Sequence, residues 1–154
     1  MGFNSSKFIS TQFIPREKGI EVKDLKPWFE KKSKPVWRVR GLTGYELAWC
    51  EEIKRRNKQI EKILEGLLQS GSQKQKEAIQ QLVGSDPKNA TDDVAKRIEM
   101  LCVGSVDPKC DNELAIKLLT NFPIEFFDIT NHINLLTGKG HVPGKPKPSG
   151  KTHP

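Results

Sequence analysis

Between residues 43 and 68 the apolar positions recur at intervals of three and four: Leu47, Cys50, Ile53, Ile60, Leu64 and Leu67, with Asn57 the one polar member of the stripe. Glu51, Glu52, Lys54, Arg55, Lys58, Glu61, Lys62 and Glu65 occupy the remaining face. This is the pattern of an amphipathic helix that buries one side. Thr43 and Glu46 have capping-box spacing at its start, and Glu51–Arg55 and Glu52–Arg56 add favourable pairs one turn apart. The pattern predicts the longest helix of the chain, with the rest folded against its stripe.

Before it, residues 34–40 alternate as a strand, with Trp37 and Val39 on one face and Val36, Arg38 and Arg40 on the other. Pro35 sits where a missing amide is tolerated, and Gly41 turns the chain into Thr43. Residues 1–35 read as an extended arm with a helical turn near 25–29. Its aromatic and aliphatic residues (Phe3, Phe8, Ile9, Phe13, Ile14, Leu25, Trp28, Phe29) suit either a partner or this chain's own core. After a polar break at 69–73, a short helix is predicted over 74–83. A third begins at Thr91, with Val94, Ala95, Ile98, Leu101 and Cys102 inward and Gly104 at its end. Residues 106–110 read as a loop, and Asp111 or Asn112 caps a helix carrying Leu114, Ala115, Leu118 and Leu119. Pro123 opens the last helix, which holds Phe126, Phe127, Ile129, Ile133, Leu135 and Leu136 and stops at Gly138. Residues 139–154 contain four Pro, three Gly and four Lys and should be disordered. The expected fold is mainly α: about five helices around one long N-terminal helix, with a short β-strand before it. The expected organisation is an arm (1–35), a helical domain (36–138) and a disordered basic C-terminal segment (139–154).

Charge changes the picture at the ends. The net charge is +7, but residues 1–40 carry ten Lys or Arg against four acids and residues 139–154 carry four Lys and no acid, leaving the middle mildly acidic. Two basic arms flank an acidic body, an arrangement able to hold nucleic acid or an acidic partner. Trp37 beside Arg38 and Arg40, the Lys54-Arg55-Arg56 run and the C-terminal lysines are the material for a nucleic-acid reading. Arg55 and Arg56 are offset by glutamates one turn back, and no helix-turn-helix spacing is evident.

Catalytic chemistry finds no foothold. There is no phosphate-binding glycine loop, no His-x-x-x-His pair and no Gly-x-Ser-x-Gly turn. Cys50, Cys102 and Cys110 form no Cys-x-x-Cys pair and read as reduced thiols packed as small hydrophobes. No apolar run reaches the roughly 20 residues of a membrane span. A non-enzymatic protein without metal, cofactor or membrane anchor is expected.

Two stretches resemble a known family. Val36-Trp37-Arg38-Val39-Arg40-Gly41-Leu42-Thr43-Gly44-Tyr45-Glu46-Leu47 resembles the strand, Arg-Gly-Leu-Thr turn and helix start near the beginning of tail assembly chaperones from long-tailed bacteriophages. Asn121-Phe122-Pro123-Ile124-Glu125-Phe126-Phe127 through Ile133, Leu136 and Thr137-Gly138-Lys139-Gly140 resembles their end. The resemblance implies a mostly helical protein of the host cytoplasm that coats the hydrophobic, helical tape-measure protein and recruits tail-tube subunits. It also implies that the protein is absent from the finished virion; self-association is compatible with it. The partner-binding residues expected on this reading are Trp49, Phe122, Phe126 and Phe127, with Arg38 and Arg40 as polar guides. The alternative is a small basic nucleic-acid-binding accessory protein working through its arms.

Overall fold

The computed structural model describes residues 2–52, 62–63, 65–66, 73 and 87–144. The predicted helix at 74–83 and most of 53–68 lie outside the described residues. In chain order the elements are α1 (Ser5–Ser10), β1 (Phe13–Ile14), β2 (Glu17–Glu21), a 3-10 helix (Lys23–Trp28), β3 (Val36–Arg40) and α2 (Gly44–Glu52). They continue with α3 (Pro87–Gly104), β4 (Ser105–Asp107), α4 (Asn112–Asn121), α5 (Pro123–Lys139) and β5 (Val142–Pro143).

The architecture is mixed α/β, not mainly α. A three-stranded antiparallel sheet runs in the order β2-β3-β4, and β1 pairs with β5 in a second, two-stranded sheet. In the larger sheet Lys18 lies opposite Val39, Ile20 opposite Trp37 and Val39 opposite Ser105. β3 buries Trp37 and Val39 and leaves Arg38 in solvent, so the alternation predicted its faces correctly. Its neighbours were invisible to the same logic. β4 occupies part of the predicted 106–110 loop, and its three residues are too few to show a period. Pairing with β3 makes it a strand, through a partner more than sixty positions away.

No long N-terminal helix organises the described residues. α2 has nine residues and buries only Cys50 outright, with Leu47 half-buried. The organiser is α5. It buries Pro123, Phe126, Phe127, Ile129, Thr130, Ile133 and Leu136, and it touches α3, α4, β3 and β2. α3 contributes Val94, Ala95, Ile98, Met100 and Leu101, and α4 contributes Ala115, Leu118 and Leu119. The sheet contributes Ile20, Trp37 and Val39, so the core is a helix layer over a small sheet. The 3-10 helix and its approach add Val22 and Leu25, which means part of the N-terminal segment covers this chain's own core.

One cation is built into that core. Arg97 is almost wholly buried and donates to Asp93 Oδ2 (2.7 Å), Thr130 Oγ1 (2.7 Å) and Asn131 Oδ1 (2.8 Å). Its guanidinium lies 5.2 Å from the Phe127 ring centroid. A buried charge needs such full satisfaction, and here the partners come from α3 itself and from α5.

Three expectations about the ends are corrected. The start of the arm is not extended: Asn4 caps α1, its side chain accepting from the Lys7 amide at 3.0 Å. α5 does not stop at Gly138 but runs to Lys139, because the left-handed backbone needed for the exit falls at Gly140 (φ 78°). Residues 139–144 are ordered, with Val142 and Pro143 paired to Ile14 and Phe13. Composition marked them as coreless, but backbone pairing with β1 needs no core.

Backbone packs closely against backbone where β3 ends. A Cβ on Gly41 would stand 2.9 Å from the Leu136 carbonyl carbon and 3.1 Å from the Thr137 nitrogen, both backbone atoms that cannot swing aside. Gly41→Ala is therefore expected to destabilise by about 1–3 kcal/mol through overpacking. Phe126→Ala, which empties a fully buried site, should cost about 3–5 kcal/mol. Urea unfolding followed by circular dichroism measures both; a wild-type midpoint for either variant would refute the corresponding packing assignment.

Candidate partner-binding surface

The start of α2 is fastened from both sides. Thr43 Oγ1 accepts from the Glu46 amide (3.0 Å), and Glu46 Oε1 accepts from the Thr43 amide (2.9 Å), completing the predicted capping box. Arg40, at the end of β3, donates to Glu46 Oε1 at 2.9 Å and Oε2 at 2.7 Å, a two-pronged ion pair that joins strand to helix. The Arg40 hydrogen bond, with help from Thr43, holds the Glu46 carboxyl well down, from its ordinary 4.5 to about 2. Further along, Glu51 pairs with Lys96 of α3 at 2.7 Å.

This fastening decides which side of α2 faces outward. Leu47 and Cys50 turn in, and Tyr45 and Trp49, one turn apart, turn out. Tyr45 is 85% exposed and Trp49 51%. Two large aromatics on one face of an anchored helix form a ready contact surface, since aromatic side chains contribute most where they become buried against a partner. Trp49 was expected here. Tyr45 was not singled out, although its i, i−4 spacing to Trp49 is written in the sequence.

The other expected residues divide between surface and scaffold. Arg38 is exposed and pairs with Glu17 across the sheet at 3.3 Å, a solvent-screened contact of small energetic weight. Arg40 is committed to Glu46 and is a structural clamp, not a guide for a partner. Phe126 and Phe127 have no exposed surface and meet edge to face at 5.3 Å, so they are core residues and unavailable to a client. Phe122 is half-buried, with Trp28 edge-on at 5.6 Å and largely exposed. Beside that pair the Glu125 carboxyl is pushed above its ordinary range by burial, and the Asp24 and Asp128 carboxylates add to the shift. A second apolar surface lies at the N-terminus: Phe8 stacks between Phe3 and Phe13 (5.2 and 5.1 Å), and Ile9 is almost fully exposed.

Of the nucleic-acid material, Lys54-Arg55-Arg56 and the lysines after residue 144 lie outside the described residues. Arg38 and Arg40 each already face a carboxylate. Among the described residues no group of three or more His, Cys, Asp or Glu could hold a metal ion, and no helix is long and apolar enough to cross a membrane. The described residues thus form a mixed α/β domain whose exposed aromatics lie on α2, on the 3-10 helix and at the N-terminus. No family model, curated protein or solved structure matches the chain.

Two titrations check the electrostatics. Glu46 has a lowered folded-state pKa, so its pairing stabilises the fold above about 4.5 and is lost as pH falls from there toward 2. Glu46→Gln should cost about 1–2 kcal/mol at neutral pH and flatten the stability curve across that acid window; equal acid slopes for variant and wild type would refute the pairing. Glu125 has the opposite sign. Its raised folded-state pKa means that ionisation opposes folding, so stability falls as pH rises past the ordinary carboxylate value. Glu125→Gln should raise the urea midpoint at pH 7 and leave it nearly unchanged at pH 3.

Proposed function

We propose that this protein is a non-enzymatic assembly chaperone of the kind made by long-tailed bacteriophages. In the host cytoplasm it binds the apolar, helical tape-measure protein and brings tail-tube subunits to it. The observation that carries this reading is the outward pair Tyr45 and Trp49 on α2, a helix anchored at its start by Glu46. Aromatics one turn apart match the ridge of a client helix, and such groove-and-ridge contacts are a common way of holding amphipathic segments.

A second feature supports it. The two stretches that resemble the phage chaperones, 36–47 and 121–140, meet in space: Leu42 donates its amide to Thr137 Oγ1 at 2.9 Å, and Gly41 lies against Leu136. Both belong to one packed unit, as parts of a shared fold would. The gripping surface on this reading is the outward face of α2, and the buried phenylalanines of α5 only support the fold behind it.

The test is affinity capture of the tagged full chain from phage-producing cells, with nuclease treatment and identification by mass spectrometry. Recovery of a very long helical phage protein or of tail-tube subunits is expected, and Tyr45→Ala with Trp49→Ala should lower that recovery about tenfold at an unchanged unfolding midpoint. Capture of nucleic acid alone, lost on nuclease treatment and steeply salt-dependent, would overturn the proposal in favour of a nucleic-acid-binding protein.

A further inference from the structure

Residues 3–14 hold five of the eleven large hydrophobic side chains left exposed among the described residues: Phe3, Phe8, Ile9, Phe13 and Ile14. They form a patch, because Phe8 lies against both Phe3 (5.2 Å) and Phe13 (5.1 Å) and Ile9 follows it on α1. α1 buries none of its residues, and Ile9 is 82% exposed. The patch is nevertheless fixed in place. Phe13 pairs with Pro143 and Ile14 with Val142, and the Gly144 amide donates to the Gln12 carbonyl at 2.7 Å. The segment that follows α5 therefore lies beside the patch.

The two segments that meet there carry charge of one sign. Residues 1–16 contain Lys7 and Arg16 and no acid, and no acid follows Asp128. Glu17, the first carboxylate of the chain, is paired with Arg38 across the larger sheet. Arg16 is half-buried and holds the Gly140 carbonyl, whereas Lys7 on α1 and Lys139, three residues before β5, are exposed. The short helix also meets part of its own polar demand. Asn4 Oδ1 accepts from the Lys7 amide, and the Ser10 and Thr11 hydroxyls both donate to the Lys7 carbonyl, at 3.1 and 2.6 Å. Such internal bonding lowers the cost of placing the segment where water is scarce.

We propose that α1 and the β1–β5 pair form a docking site for the surface of a bilayer containing anionic phospholipid. The exposed Phe and Ile side chains enter the boundary between head groups and acyl chains, and Lys7 and Lys139 meet the lipid phosphates. Contact of this kind needs no membrane span. Charge selects this occupant over a second copy of the chain, because two such patches would bring cations together with no carboxylate to offset them. Nucleic acid would also answer the charge. Ile9, the most exposed member of the patch, and Ile14 offer a base no ring to stack on, whereas acyl chains cover them fully.

The experiment sediments the full chain with vesicles of phosphatidylcholine and phosphatidylglycerol in equal parts, and with vesicles of phosphatidylcholine alone. Binding to the anionic vesicles should be about tenfold tighter or more, and should weaken as salt is raised. Ile9→Ser should lower that binding about tenfold and Lys7→Gln about fivefold. Both variants should keep the wild-type unfolding midpoint, since neither side chain is buried. Tyr45→Ala with Trp49→Ala should leave vesicle binding unchanged, so this site and the α2 face fail separately. No binding, equal binding to both kinds of vesicle, or binding indifferent to Ile9→Ser would each overturn the proposal. A single-stranded oligonucleotide that displaces the protein from vesicles, and binds wild type and Ile9→Ser alike, would assign the site to nucleic acid instead.

Discussion

The fold turns on the contact between Gly41 and the last turns of α5. At that point the backbone of the β3 exit approaches the Leu136–Thr137 peptide more closely than any side chain would permit. Hydrogen bonds from three directions hold it there. The Gly41 amide donates to the Arg16 carbonyl at 2.9 Å, the Leu42 amide donates to Thr137 Oγ1, and Arg16 Nε donates to the Gly140 carbonyl at 3.0 Å. The approach to β2, the β3–α2 turn and the end of α5 are thereby fixed to one another. The direction in which α2 leaves the sheet, and so the surface it presents, follows from this junction.

Neighbouring residues of one type take different roles because the fold gives them different surroundings. Arg38 and Arg40 are two positions apart on one strand face, yet Arg38 remains in water beside Glu17 while Arg40 grips Glu46 in a half-buried fork. Arg97 is buried furthest and is matched by Asp93, Thr130 and Asn131. The phenylalanines of the last helical segment grade in the same way, from the half-buried Phe122 to the enclosed Phe126 and Phe127. A charge or ring is free to meet a partner only where the fold has not already consumed its bonding capacity.

Function on this view is carried by residues the core leaves over. The α2 aromatics stand on the side of the helix away from Leu47 and Cys50, so contact there need not disturb the packed interior. The Phe3–Phe8–Phe13 cluster is separate from that core and joined to it through the β1–β5 pairing and Arg16.

What the sequence by itself determined is local. The capping box at Thr43 and Glu46, the faces of β3, a cap at Asp111 or Asn112, the Pro123 helix start and the inward Val94, Ala95, Ile98 and Leu101 of α3 all depend on neighbours within a turn or on simple alternation, whereas the burial of Met100 and Arg97 does not. The tertiary structure alone decided the mixed α/β class, because β4 and β5 are two or three residues long and exist only through pairing with distant strands. It also decided that α5 is the organiser of the described residues, that Phe126 and Phe127 are sealed, and that Tyr45 is open. Periodicity says which side of a helix is apolar; which apolar sides find a partner within the chain is set by long-range packing, and no local pattern encodes it.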